Sequence, residues 1–204
     1  MLGPRRRGSG VHACPSPPPS ISTGSGPVPA WSSTSSAWAC TLQVMTAERK
    51  RGGMRDGRFV VEHRGGPLRK EQHRQLMVWA CNCSKHVLPL FGTPVDVRLT
   101  KALAVAKDWE LGKTSVGEAR NASVGAIHAA QEATEPAAIA VARSVGQAVA
   151  TAHMADHSLG AAWYALKAIA RSGGNVEGER KWQDGQLPVE IRELVQSARQ
   201  KKNI

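Results

Sequence analysis

Alanine constrains this chain more than any other residue. Between Ala102 and Ala170 it fills 22 of 69 positions. Alanine is the strongest helix former and is depleted in strands. A single methyl cannot hold neighbouring helices apart, so helices this rich in it pack at the close end of the roughly 8–10 Å interaxial range. Close packing leaves little room for a wide internal pocket, and no organic cofactor is expected. The expected architecture is an all-α, Ala-rich helical bundle of five or six helices.

Apolar spacing divides the bundle. Leu76, Trp79, Ala80, Cys83, Val87 and Leu90 recur at three- and four-residue steps, one face of a helix that Pro89 should end near Leu88. Thr93-Pro94 is expected to open a second helix, with the stripe Leu99, Ala102, Leu103, Ala106 and Trp109 and a stop at Gly112. Ser115-Val-Gly-Glu118 has the spacing of a capping box. Ala119, Ala122, Ala126, Ala129, Ala130 and Ala133 follow it at helical spacing. Thr134-Glu-Pro136 reads as a cap and a first-turn proline.

From Pro136 to Arg171 there is no further proline. One helix of that length would run on the order of 50 Å, too long for a domain of this size. A break is expected in Asp156-His-Ser-Leu-Gly160, with Asp156 or Ser158 capping the second piece. Ser172-Gly-Gly-Asn-Val-Glu-Gly reads as a loop. Pro188 to about Lys201 reads as a last amphipathic helix with Val189, Ile191, Leu194 and Val195 facing inward.

The N-terminal third has another character. Residues 1–47 contain no Asp or Glu; they carry Arg5, Arg6 and Arg7 and then Ser/Pro/Gly tracts without helix or strand period. Such a segment cannot bury enough apolar surface to offset its ordering entropy. It also lacks the apolar stretch of a secretory signal, so export is not expected and the protein is read as cytoplasmic. Residues 1–66 are therefore expected to be a disordered basic leader, with Arg58-Phe-Val-Val-Glu-His as one strand-like turn at most. Met45, Met54 and Met77 are alternative starts, and residues 67–204 are expected to form the helical domain.

Charge adds less than it first suggests. The 204 residues carry 27 Lys/Arg and 16 Asp/Glu, a net charge of +11. Residues 1–66 hold nine basic and three acidic groups and residues 67–204 eighteen and thirteen, so the folded part is only +5. With 4% aromatic residues there is little material for base stacking. Nucleic acid is thus an unfavoured partner. Charges interrupt every apolar run before the roughly 18 residues of a membrane span, and no membrane role is expected. Four cysteines, Cys14, Cys40, Cys81 and Cys83, are too few and too unevenly placed for a disulfide scaffold.

The polar motifs each have a functional and a structural reading. His153-Met-Ala-Asp-His157 sets two imidazoles at i and i+4 on one helix face, as in helical zinc sites, with His128 as the natural third ligand. Structurally, the same histidines end a helix and Asp156 caps the next. Cys81 and Cys83, two apart, would point in nearly opposite directions on a helix, and core packing suits Cys83 better than a metal. Gly112-Lys-Thr114 is not a phosphate loop, because position 107 is lysine where that motif needs glycine. No Ser/His/Asp or Cys/His nucleophile arrangement stands out. Glu118, Arg120, His128, His153, Asp156 and His157 are the candidate polar cluster. Arg120, His128, His153 and Asp156 are expected to meet at one inward-facing spot, since a polar group inside such a bundle must be paired. No catalytic residue is assigned.

Several segments together resemble a known family. They are Trp79-Ala-x-x-x-Ser-x-x-Val-Leu-Pro-Leu-Phe91, Ala104-Val-Ala-Lys-Asp-Trp-Glu-Leu-Gly112, Val116-Gly-Glu-Ala-Arg120 with His128-Ala-Ala, and Ala148-Val-Ala-Thr-Ala-His-Met-Ala-Asp-His157 through Tyr164-Ala-Leu-Lys-Ala168. Over about residues 70–172 the chain resembles a bacterial immunity-protein family, the all-helical domain similar to immunity protein five. That resemblance implies a non-enzymatic protein that binds and neutralises a cognate protein toxin of a bacterial competition system. It assigns no role to the individual polar residues. Two other readings remain: a metal-binding helical protein using His128, His153 and His157, and a basic nucleic-acid-binding protein.

Overall fold

The computed structural model describes residues 55–204. The leader's Ser/Pro/Gly tracts, Cys14 and Cys40 lie outside the described residues. Seven α-helices occur among them: α1 Lys70–Val87, α2 Val97–Glu110, α3 Val116–Glu132, α4 Pro136–Ala150, α5 His157–Arg171, α6 Val176–Gly185 and α7 Val189–Lys202. Short 3-10 turns occupy Gly57–Phe59, Glu62–Arg64 and Leu88–Phe91. No strand occurs among the described residues; the one bridge joins Val61 and Leu68.

α4 is the central helix. Ten of its 15 residues are buried, and its single charge is Arg143. It packs against α1, α2, α3 and α5. A helix apolar nearly all round belongs inside a bundle. Alanine and serine allow this closeness. Ser144 Oγ donates to the Ala161 carbonyl at 2.9 Å and lies 2.8 Å from Ser84 Oγ, joining α4 to α5 and α1. Ser123 Oγ donates to the Gly146 carbonyl at 2.9 Å, joining α3 to α4. Each buried hydroxyl thus has a partner, as burial requires. The larger core side chains are Trp79, Phe59, Leu76, Leu99, Leu159 and Ile191. Cys81 and Cys83 are free, buried thiols. Burial pushes Cys81 up to about 12 and Cys83 higher still, so both remain protonated packing groups.

Helix ends follow local chemistry, with some departures from the sequence reading. The Ser115–Glu118 capping box forms as spelled. α2 starts three residues beyond Pro94, because Asp96 is the cap and accepts from Arg98 N–H at 2.8 Å. Glu135, not Thr134, is the residue before the first-turn proline of α4. A break precedes α5, but at residues 151–156, upstream of the expected Asp156–Gly160 segment, and neither Asp156 nor Ser158 caps α5: Asp156 holds the cap position without a side-chain hydrogen bond, and Ser158 Oγ donates to the Ala155 carbonyl. In α7, Val189 is exposed rather than inward.

Two segments read as unstructured are ordered. Asn175 Oδ1 accepts from Gly178 N–H at 2.9 Å and starts α6, which raises the helix number to seven. α6 is fixed to the bundle by polar contacts. Trp79 Nε1 donates to the Gln183 carbonyl at 2.9 Å, and buried Arg199 of α7 pairs with Asp184 at 2.5 Å and donates to Gln183 Oε1. The second segment is the upstream turn. Phe59 is fully buried, and Val61 and Leu68 join the same core. Glu62 N–H donates to the Leu68 carbonyl at 2.9 Å and Leu68 N–H to the Val60 carbonyl at 3.0 Å. A side chain at Gly66 would sit 2.0 Å from the Val60 carbonyl oxygen, so this closure requires glycine. The boundary expected at residue 66/67 therefore falls too late, because a buried phenylalanine anchors the preceding turn.

Candidate functional site

The site lies at the corner between α4 and α5. α4 stops at Ala150, and residues 151–156 turn the chain before α5 begins at His157. That short turn carries His153 and Asp156, and the first residue of α5 adds the second imidazole. The His153 and His157 rings stand 5.0 Å apart, tilted by 51°. His157 Nδ1 donates to Gln147 Oε1, one helix back, at 2.6 Å. This bond leaves Nε2 as the unprotonated nitrogen of the neutral ring.

Three arginines surround the corner. Arg55 reaches Asp156 Oδ1 at 3.4 Å, an ion pair without hydrogen-bond geometry, and that oxygen has no other partner. Arg64 Nη1 donates weakly to the His153 carbonyl at 3.4 Å. The charge of Arg120, on α3, acts on His153. Burial holds both imidazoles below the ordinary value of 6.5, and the Arg120 and Arg64 charges add to this at His153 while Asp156 opposes it at both rings. His153 Nδ1 is buried without a hydrogen-bond partner.

The expected cluster divides. His153, Asp156 and His157 come together, with Arg120 close enough to act through its charge. His128 does not join them. It lies eight residues beyond Arg120 on α3, roughly 12 Å along the axis, and is exposed near Glu132. Among the described residues no group of three His, Cys, Asp or Glu side chains converges to hold a metal. Of the three histidines only His153 and His157 are seen to approach each other, and His128 completes no three-residue group with them among the described residues. Glu118 has a capping role. It accepts from Ser115 N–H at 2.9 Å, and that bond, with Thr114 and Ser115 hydroxyls, holds its carboxyl below the usual range.

The α4–α5 turn with His153, Asp156 and His157 falls inside a recognised sequence family, while Arg55 and Arg64 lie upstream of it. A family model described as Imm-5 like putative immunity protein matches residues 66–190. The chain belongs to this immunity-protein family. Comparison with curated proteins and with solved structures gives no match. The immunity-protein match takes in α1 through α6 and stops at the start of α7, so the Phe59 turn and most of the last helix lie outside it. Among the described residues no helix is long and apolar enough to cross a membrane.

Sequence reasoning missed His73, Gln147, Arg55 and Arg64. His73 is buried on α1, donates from Nε2 to the Thr151 carbonyl at 2.6 Å, and meets Trp109 edge-on at 5.0 Å. It therefore ties α1 and α2 to the same corner. A signal was present: residue 73 precedes Leu76 and Met77 by three and four positions and continues the buried stripe. For the two arginines no comparable signal existed, since their partners are remote in sequence.

Proposed function

We propose that this chain is an immunity protein: it binds a cognate protein toxin of a bacterial competition system and holds it inactive, without chemistry of its own. Membership of the immunity-protein family over residues 66–190 carries the reading. The chemistry of the thiols agrees with it, because Cys81 and Cys83 are buried and held protonated and so are poor nucleophiles. Residues 55–204 hold 21 Lys/Arg and 15 Asp/Glu, 21 − 15 = +6, which favours a toxin with an acidic contact face over a basic nuclease cleft.

The test is protection. A toxin domain encoded beside this gene is expressed in a bacterial host with and without the chain. Rescue of growth, together with a stoichiometric complex of the purified pair, is the expected result. Growth arrest that persists despite soluble immunity protein, with no complex formed, would overturn the proposal.

A further inference from the structure

One cleft stands apart from the helix-packing contacts. It opens where the Glu62–Arg64 turn, the first turns of α1, the α2–α3 connection and the α4–α5 corner meet, and its volume is about 420 Å3. That size lies within the range of small-ligand sites. Its inner wall is apolar and aromatic: Trp109 with the His73 ring against it, beside Val61 and Ala152. His73 is held there by its bond to Thr151.

The polar lining is unbalanced. Three permanent cations, Arg64, Lys70 and Arg74, face one carboxylate, Glu62, which gives 3 − 1 = +2. Glu62 is already engaged, since its Oε1 accepts from Lys70 N–H at 3.3 Å. Arg74 has only a loose ion pair, at 3.7 Å, with the exposed Glu71. Arg64 uses one donor, at 3.4 Å, on the His153 carbonyl, and a guanidinium has five. Cations gathered around an aromatic pocket, with too few carboxylates to neutralise them, suit an anion attached to a flat apolar body.

We propose that this cleft binds an organic carboxylate, with the acid group at Arg64 and Arg74 and the apolar body against Trp109 and His73. The carboxylate belongs either to a free small acid or to an acidic side chain of a protein partner. Binding at this cleft does not depend on the immunity reading, because either source presents the same group.

The test is an NMR titration of the full chain, followed at the Trp109 indole N–H, which Trp109→Phe assigns. Probes are phenylacetate, its neutral analogue 2-phenylethanol, acetate, and a capped dipeptide of phenylalanine and glutamate. Phenylacetate is expected to shift the Trp109 signal and to bind about tenfold more tightly than 2-phenylethanol or acetate. Arg64→Gln and Arg74→Gln should each weaken it about tenfold, whereas Arg98→Gln, whose partners are Asp96 and Glu132, should leave it unchanged. Tighter binding of the dipeptide assigns the site to a partner's acidic segment, and tighter binding of phenylacetate assigns it to a free acid. Equal binding of phenylacetate and 2-phenylethanol, or no shift at Trp109 with any probe, overturns the proposal. The comparison among probes uses the unaltered protein, so it holds even if a variant fails to fold.

Discussion

Asp156 shows how far exposure changes the worth of an ion pair. A carboxylate buried against a single cation would cost several kcal/mol to remove. Here the Asp156 side chain is 18% exposed and its Arg55 partner 36%, at 3.4 Å and without a hydrogen bond. Solvent screens such a pair, so Asp156→Ala should cost about 1 kcal/mol, measured by denaturant unfolding. A loss of several kcal/mol would show that the corner depends on this carboxylate much more than its geometry indicates. His73 is the opposite case. It is buried, and its ring holds the Thr151 carbonyl at the point where α4 ends. His73→Ala removes that donor and leaves a cavity against Trp109, which should cost about 2–4 kcal/mol in the same experiment.

At the scale of elements, two contacts carry definite expectations. Phe59 is fully buried although its turn precedes the first α-helix. Phe59→Ala should cost about 3–5 kcal/mol, and deletion of residues 1–60 should lower the melting temperature in parallel. An unchanged melting temperature after that deletion would mean that the bundle closes without the turn. The second contact is between α3 and α4. A side chain added at Gly146 would meet Ile127 Cδ1 at 2.7 Å. Gly146→Val should therefore cost about 1–3 kcal/mol by overpacking, and Ile127→Ala in the same chain should recover part of that loss. The helices were legible because alanine and larger apolar residues mark one face at steps of three and four, and because Gly112, Ser115 and Pro136 mark ends by local chemistry. α6 was not legible. Its sequence, Val-Glu-Gly-Glu-Arg-Lys-Trp-Gln-Asp-Gly, has almost no apolar stripe, and its attachments, which include Trp79, His86, Ala162 and Arg199, lie on other helices. The Phe59 turn failed for a related reason: one phenylalanine among basic and glycine residues has no period to read.

At the scale of the whole molecule, the site was half legible. His153, Asp156 and His157 are close in sequence, so the short turn between α4 and α5 is enough to bring them together. Arg55, Arg64, His73 and Arg120 reach the same corner from the upstream turn, α1 and α3, and only tertiary packing brings them there. Their convergence has a consequence for the fold as a unit. Burial holds His73, His153 and His157 below the ordinary imidazole value of 6.5, and Arg64 adds to this at His73 and His153. Asp156 is the carboxylate that opposes it at the corner. Each ring therefore binds its proton more readily in the unfolded chain than in the folded one. The stability from keeping the three rings neutral is fully present above pH 6.5. It begins to fall as pH drops below that value and is lost as pH falls through the lower folded-state values. The melting temperature should accordingly decline from neutral pH toward the ordinary carboxylate range, before carboxylates begin to protonate. His73→Gln, which keeps a donor without a titrating group, should flatten that decline in proportion to its share. A melting temperature that rises over the same interval would mean that the folded protein favours charged histidines, and the neutral corner described here would be wrong.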